Sequence, residues 1–97
     1  MDILTYIPFG RDNAIRRSDL VAQVNLPDRT VRNMIEEARR NGAIIINDGS
    51  GVGYYTSDDL EELTRQYKMN QSRAMSILVQ QKFLRRRIKE LGGDLSG

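Results

Sequence analysis

The side chains in this 97-residue chain that can do chemistry are arginines, hydroxyls and carboxylates, because it contains no cysteine and no histidine. That absence removes thiol nucleophiles, imidazole bases, Cys/His zinc sites and haem ligation together. The carboxylates come as adjacent pairs, Glu36 with Glu37, Asp58 with Asp59 and Glu61 with Glu62, with no neighbouring nucleophile or metal ligand. Such pairs read as helix surface charge, not as acid–base or metal centres. The chain is therefore expected not to be an enzyme and to need no cofactor or metal.

Arginine is the more informative residue. Of 15 basic residues 12 are Arg and 3 are Lys, and the planar guanidinium fork matches phosphate and guanine edges bidentately, as it also matches carboxylates at interfaces. The densest constellation is Arg29, Thr30, Arg32 and Asn33. Arginine can read guanine, asparagine can read adenine, and threonine can meet a thymine methyl or the backbone. Arg16, Arg17 and Ser18 on one side, Arg39 and Arg40 on the other, and Ser50 in a glycine-rich turn are placed to hold phosphates, which give affinity without sequence information. The opposing reading is a solvated helix face in which Arg32 pairs with Glu36 at helical spacing. Glu36 projects from the same face as Arg29, Asn33 and Arg40, where it can accept from a cytosine amine but otherwise repels phosphate.

The elements that must position these residues follow from the breakers at 8–10, 25–27, 41–42, 49–53 and 92–93. Asp2 caps a brief first helix that ends at Pro8. Ala14 and Ile15 allow a strand of two or three residues. Ser18 is placed to cap a second helix through Leu20, Val21 and Val24. The connection Asn25, Leu26, Pro27 leads to a helix capped by Asp28, with Val31, Met34, Ile35 and Ala38 as its buried stripe and a left-handed stop at Asn41 and Gly42. Residues 43–46 and 53–56 read as a β-hairpin across a turn at 47–51. From Ser57 the chain reads as helix to about Leu91.

Two short helices joined by three residues and followed by a glycine-tipped hairpin resemble a winged helix-turn-helix over residues 1–57. The apolar slots of that motif fall on Leu20, Val24, Leu26, Val31 and Met34, and Asn25 occupies the turn position where glycine is usual. Val21 departs from the motif, standing where a small residue is usual. The stretch Arg39, Arg40, Asn41, Gly42, then residues 44–46, then Gly51, Val52, Gly53, Tyr54, Tyr55 is similar to the wing of biotin-repressor-like domains. The opening Tyr6, Ile7, Pro8, Phe9, Gly10, Arg11 with Asn13, Ala14, Ile15 is similar to small prophage-encoded proteins of Gram-positive bacteria. The resemblance implies a mainly α fold with a small β-hairpin, a recognition helix bearing Arg29, Thr30, Arg32 and Asn33, and double-stranded DNA as partner. The expected wing, residues 47–53, holds Asp48 and no Lys or Arg.

Residues 58–97 carry a second signal. Leu60, Leu63, Tyr67, Asn70, Ala74, Ile77, Gln81, Leu84, Ile88 and Leu91 recur at alternating gaps of three and four, a heptad seam. Homodimerisation through Leu63, Tyr67, Ala74, Ile77, Leu84 and Ile88 is the expectation, and the run Arg85, Arg86, Arg87 disfavours a parallel pair. A helical hairpin broken near 69–72, with Ser72 as cap, is the alternative. Met75, Leu78, Val79 and Phe83 lie off the seam and call for a second covered face. No signal peptide or membrane span is expected, so a cytoplasmic location is the expectation, and the resemblance to prophage-encoded proteins implies a bacterial host cell. The functional expectation is a phage or prophage transcriptional regulator or replication-region protein. The competing one is a phage module that uses the same fold to bind or inhibit a host protein.

Overall fold

A computed structural model describes residues 2–47 and 51–95. The protein is mainly α, with short helices followed by a long C-terminal one. Two 3-10 turns, Ile3–Tyr6 and Arg11–Asn13, precede α1 (Arg17–Val24), α2 (Asp28–Arg40) and α3 (Leu60–Glu90). By their contacts the residues divide into two units, Met1–Gln66 and Tyr67–Gly97.

Local chemistry sets the boundaries in the first unit. The Asp2 carboxylate accepts from the Leu4 amide at 2.9 Å, so the opening segment is capped as expected, but it winds as a 3-10 turn. Ser18 does not cap α1. The helix begins two residues earlier than that cap implies, at Arg17, because Ile15 exchanges both backbone hydrogen bonds with Tyr54 and the extended chain persists to Arg16, whose carbonyl accepts from Leu20. Asn25 ends α1 in the left-handed conformation, φ 59°. Asp28 likewise falls inside α2, with Pro27 preceding it, a position where an acidic side chain favours the helix dipole. At the far end Gly42 takes φ 101°, Gly42 N–H bonds Arg39 O and Ala43 N–H bonds Ala38 O. This paired arrangement satisfies carbonyls that the last turn leaves open, and it favours a residue without Cβ.

Leu20 and Val24 from α1 and Val31 and Ile35 from α2 meet Ile3, Ile45 and Tyr54 in one buried cluster, with Val21, Leu26, Met34 and Ala38 packed against it. Burying side chains of this size stabilises the fold by roughly 1.5–3 kcal/mol each before entropy is counted. Val21, the departure from the motif, is thus accommodated at the cluster's edge.

The expected hairpin is cut down to single pairings. Ile46 bridges Tyr55, Ile15 bridges Tyr54 and Phe9 bridges Thr56, and none extends into a strand among the described residues. Residues 54–56 are thus held from both sides, by Ile46 and by the 9–15 segment. An antiparallel ladder would next bond Ile44 to Ser57, but at Ser57 the chain is already turning into α3. In the other direction it reaches residues 48–50, outside the described residues.

Ser57 does not begin α3, which starts at Leu60. Its hydroxyl accepts from the Asp59 amide at 3.0 Å, and the Asp59 carboxylate caps the helix through the Glu62 amide at 3.3 Å. Ser57 donates to Glu62 at 2.7 Å, Tyr55 OH donates to Glu62 at 3.1 Å, and the Asn47 amide donates to the Gln66 side chain at 3.0 Å. These bonds tie the first turns of α3 into the first unit. In the second unit α3 runs through 69–72 without a break, so the hairpin alternative is not adopted. It stops at Gly92, φ 84°, where Gly92 and Gly93 repeat the bonding that closes α2.

Candidate nucleic-acid interface

Helix α2 separates its two faces cleanly. Val31 and Ile35 are fully buried, whereas Arg29, Thr30, Arg32, Asn33, Glu36, Glu37 and Arg40 are exposed. Arg29, Asn33, Glu36 and Arg40 follow one another at spacings of four, three and four, so they share the line of the helix opposite the core. All four base-reading candidates are therefore on open surface near the N-terminal end of α2.

The acidic intruder on that line is engaged. Glu36 pairs with Arg39 at 2.9 Å, and not with Arg32. Arg39, a phosphate candidate in the sequence, is spent on the fold: Nε and Nη2 donate to the Ile45 carbonyl at 3.1 and 2.8 Å while Nη1 holds Glu36. Its side chain is only 28% exposed. The Ile45 carbonyl takes no part in the Ile46–Tyr55 bridge, and the guanidinium fork satisfies it from the end of α2. Arg29, Arg32 and Arg40 form no ion pair among the described residues and are exposed.

The second group of candidates gathers at the start of α1. Arg16, Arg17 and Ser18 line a shallow depression of about 400 Å³ together with Asn47, Gly51, Gly53 and Tyr54. Gly53 permits this approach: its φ is 104°, and a Cβ there would run into the Ile15 carbonyl. Arg17 also reaches Asp28 at 3.0 Å, joining the starts of the two helices through side chains about half exposed. Ser18 sits in the first turn of α1, where amide groups lack intrahelical partners. Ser50 lies outside the described residues.

On α3 the seam residues Tyr67, Ile77 and Leu84 are 57–66% exposed, Ala74 is exposed, and Leu63 and Ile88 are half-buried. Arg86 stacks over Phe83 at 5.8 Å, and Arg87 pairs with Glu90 at 2.9 Å. No helix among the described residues is long and apolar enough to cross a membrane, and no cluster of acidic residues there can hold a metal ion.

Sequence reasoning missed Arg39 as a structural ligand of Ile45 and missed Glu62 and Gln66 as anchors. The spacing of Asp59 and Glu62, a cap residue and an acid three later, was a readable signal for the helix start. Comparison with family models, with curated proteins and with solved structures returned no match to this chain.

Proposed function

We propose that the first unit is a winged helix-turn-helix that binds double-stranded DNA, with α2 as recognition helix and residues 47–53 as a short wing. The reading rests on one observation above others: after a three-residue turn, α2 presents Arg29, Asn33 and Arg40, with Glu36 among them, opposite a fully buried Val31 and Ile35, and leaves Arg32 exposed on the flank of that face. A recognition helix needs its N-terminal residues open to the major groove while its other face packs on the domain. Arg29, Thr30, Arg32 and Asn33 are assigned to base edges. Arg16, Arg17, Ser18 and Arg40 are assigned to phosphates, with Arg39 supporting the site by holding Ile45 and neutralising Glu36. The protein acts by binding, without catalysis, as a small phage or prophage regulator or replication-region protein that dimerises through α3.

Retention of genomic fragments around the protein's own gene at two salt concentrations, followed by sequencing, tests this reading. One enriched motif is expected. Arg32→Ala is expected to lower specific affinity by about 1–3 kcal/mol, whereas Arg40→Ala weakens all sequences alike and reduces the salt slope by about one. No retention even at low salt sinks the proposal.

A second reading, a protein-binding module, is favoured by the apolar residues off the seam. Met75, Val79 and Phe83 are 55–58% exposed, and the 47–53 segment carries no cation. If α3 substitutions abolish function while those on α2 leave it intact, this reading replaces the first.

A further inference from the structure

We infer that two copies of this chain pair through α3 as an antiparallel dimer, with a two-fold axis at the level between Ala74 and Ile77, so that Asn70 of each copy lies opposite Gln81 of the other. The inference rests on the dimer reading above and fixes its orientation and register.

Three observations carry it. The first is the continuity of α3, a single helix from Leu60 to Glu90, which keeps the seam in one phase. The seam is symmetric about its centre. Reversed on itself, it sets Ala74 against Ile77, Asn70 against Gln81, Tyr67 against Leu84 and Leu63 against Ile88, and every layer joins the first apolar position of one heptad to the second of the other. Sliding the pair by one heptad puts Asn70 against Ala74 or Ile88, and Gln81 against Leu63 or Ile77. Each slip buries an amide on an apolar partner, which costs free energy. The two polar residues therefore select one register, the established use of isolated polar residues in such seams.

The second observation is side-chain volume. In an antiparallel pair each small or polar residue meets a partner that fills its layer, Ala74 with Ile77. A parallel pair stacks Ala74 on Ala74 and Tyr67 on Tyr67, so one layer is thin and another, two layers away, is overfilled, and packed interiors tolerate neither well.

The third is charge. Arg85, Arg86 and Arg87 stand near one end of α3, while Asp58, Asp59, Glu61 and Glu62 stand at the other. A parallel pair crowds six guanidinium groups at one level. The antiparallel register separates the two triplets by about 30 Å along the axis, beyond roughly three Debye lengths at physiological ionic strength. It also sets each triplet within two turns of the partner's carboxylates. The flanking positions agree: Arg85 falls beside Thr64 of the other copy and Arg87 beside Gln66, while Arg86 and Arg65 of the other copy, at the same level, both lie on the outer face away from the seam.

The test exploits the absence of native cysteine. Tyr67→Cys and Leu84→Cys variants of the full chain are oxidised separately and as a mixture, and the wild-type mass is measured by sedimentation at the same concentration. The expected result is a wild-type dimer, a 67–84 disulfide in the mixture, and near-complete loss of cross-linking for either variant alone. A dimer in which each variant cross-links with itself overturns the antiparallel orientation. A dimer whose mixture gives no disulfide overturns the register. A monomeric wild type overturns the underlying dimer reading instead.

Discussion

The two units of this protein use equally regular apolar patterns to opposite ends. In the first, the stripe of α2 meets α1, Ile3, Ile45 and Tyr54 and is sealed, with Val31 at 0% and Ile35 at 1% exposure. In the second, the seam of α3 is regular for longer yet leaves Ile77 and Leu84 each 57% exposed. Periodicity determines which face of a helix is apolar. Whether that face is buried depends on what the rest of the chain can bring against it, and 31 residues of α3 outrun the short helices available.

Substitutions that treat the two faces alike should therefore give unlike results. Ile35→Ala opens a cavity in a closed core and is expected to cost about 2–5 kcal/mol in denaturant unfolding. Ile77→Glu with Leu84→Glu should leave the unfolding of the first unit unchanged and convert dimers to monomers in sedimentation. Unfolding of the first unit by the α3 pair would mean that the two faces share one core.

Gly53→Ala sharpens the contrast from the backbone side. It forces a side chain into left-handed geometry against Ile15, and a loss of about 1–3 kcal/mol is expected. Its thermal midpoint should fall while its mass stays that of the parent. Arg39→Lys is the smallest of the set. It keeps the charge but loses the fork on Ile45, so a loss of about 1 kcal/mol is expected. DNA affinity measured well below the midpoint should hardly change. A large affinity loss without destabilisation would return Arg39 to the phosphate-binding group.

Much of this architecture is legible in the sequence where the causes are local. Asn25, Pro27 and Gly42 announce their turns, and the spacing of Leu20, Val24, Val31 and Ile35 announces the core. The continuous α3 follows from the absence of Pro and Gly between Leu60 and Leu91. What was not legible depends on partners distant in the chain. Ser18 has every local qualification to cap α1, but the pairing of Ile15 with Tyr54 sets the helix start. Ile44 has the composition of a strand residue, but Ser57 is drawn into the cap of α3. The candidate site divides in the same way. The exposure of Arg29, Arg32 and Asn33 follows from helical phase, whereas the diversion of Arg39 to Ile45 needs a carbonyl that local periodicity does not locate.

The pairing of Ile15 with Tyr54 also has a consequence in time. The two residues are roughly 40 positions apart, and ribosomes add about 5–20 residues per second. For some seconds of synthesis the 9–15 segment therefore exists without the backbone that completes it, while Leu20, Val24, Val31 and Ile35, the apolar side chains that α1 and α2 bring to the core, are already present. Formation of local contacts before non-local ones is the general order in small domains. In this chain it means that the helix pair can assemble before residues 54–56 arrive to fasten the N-terminal segment in place.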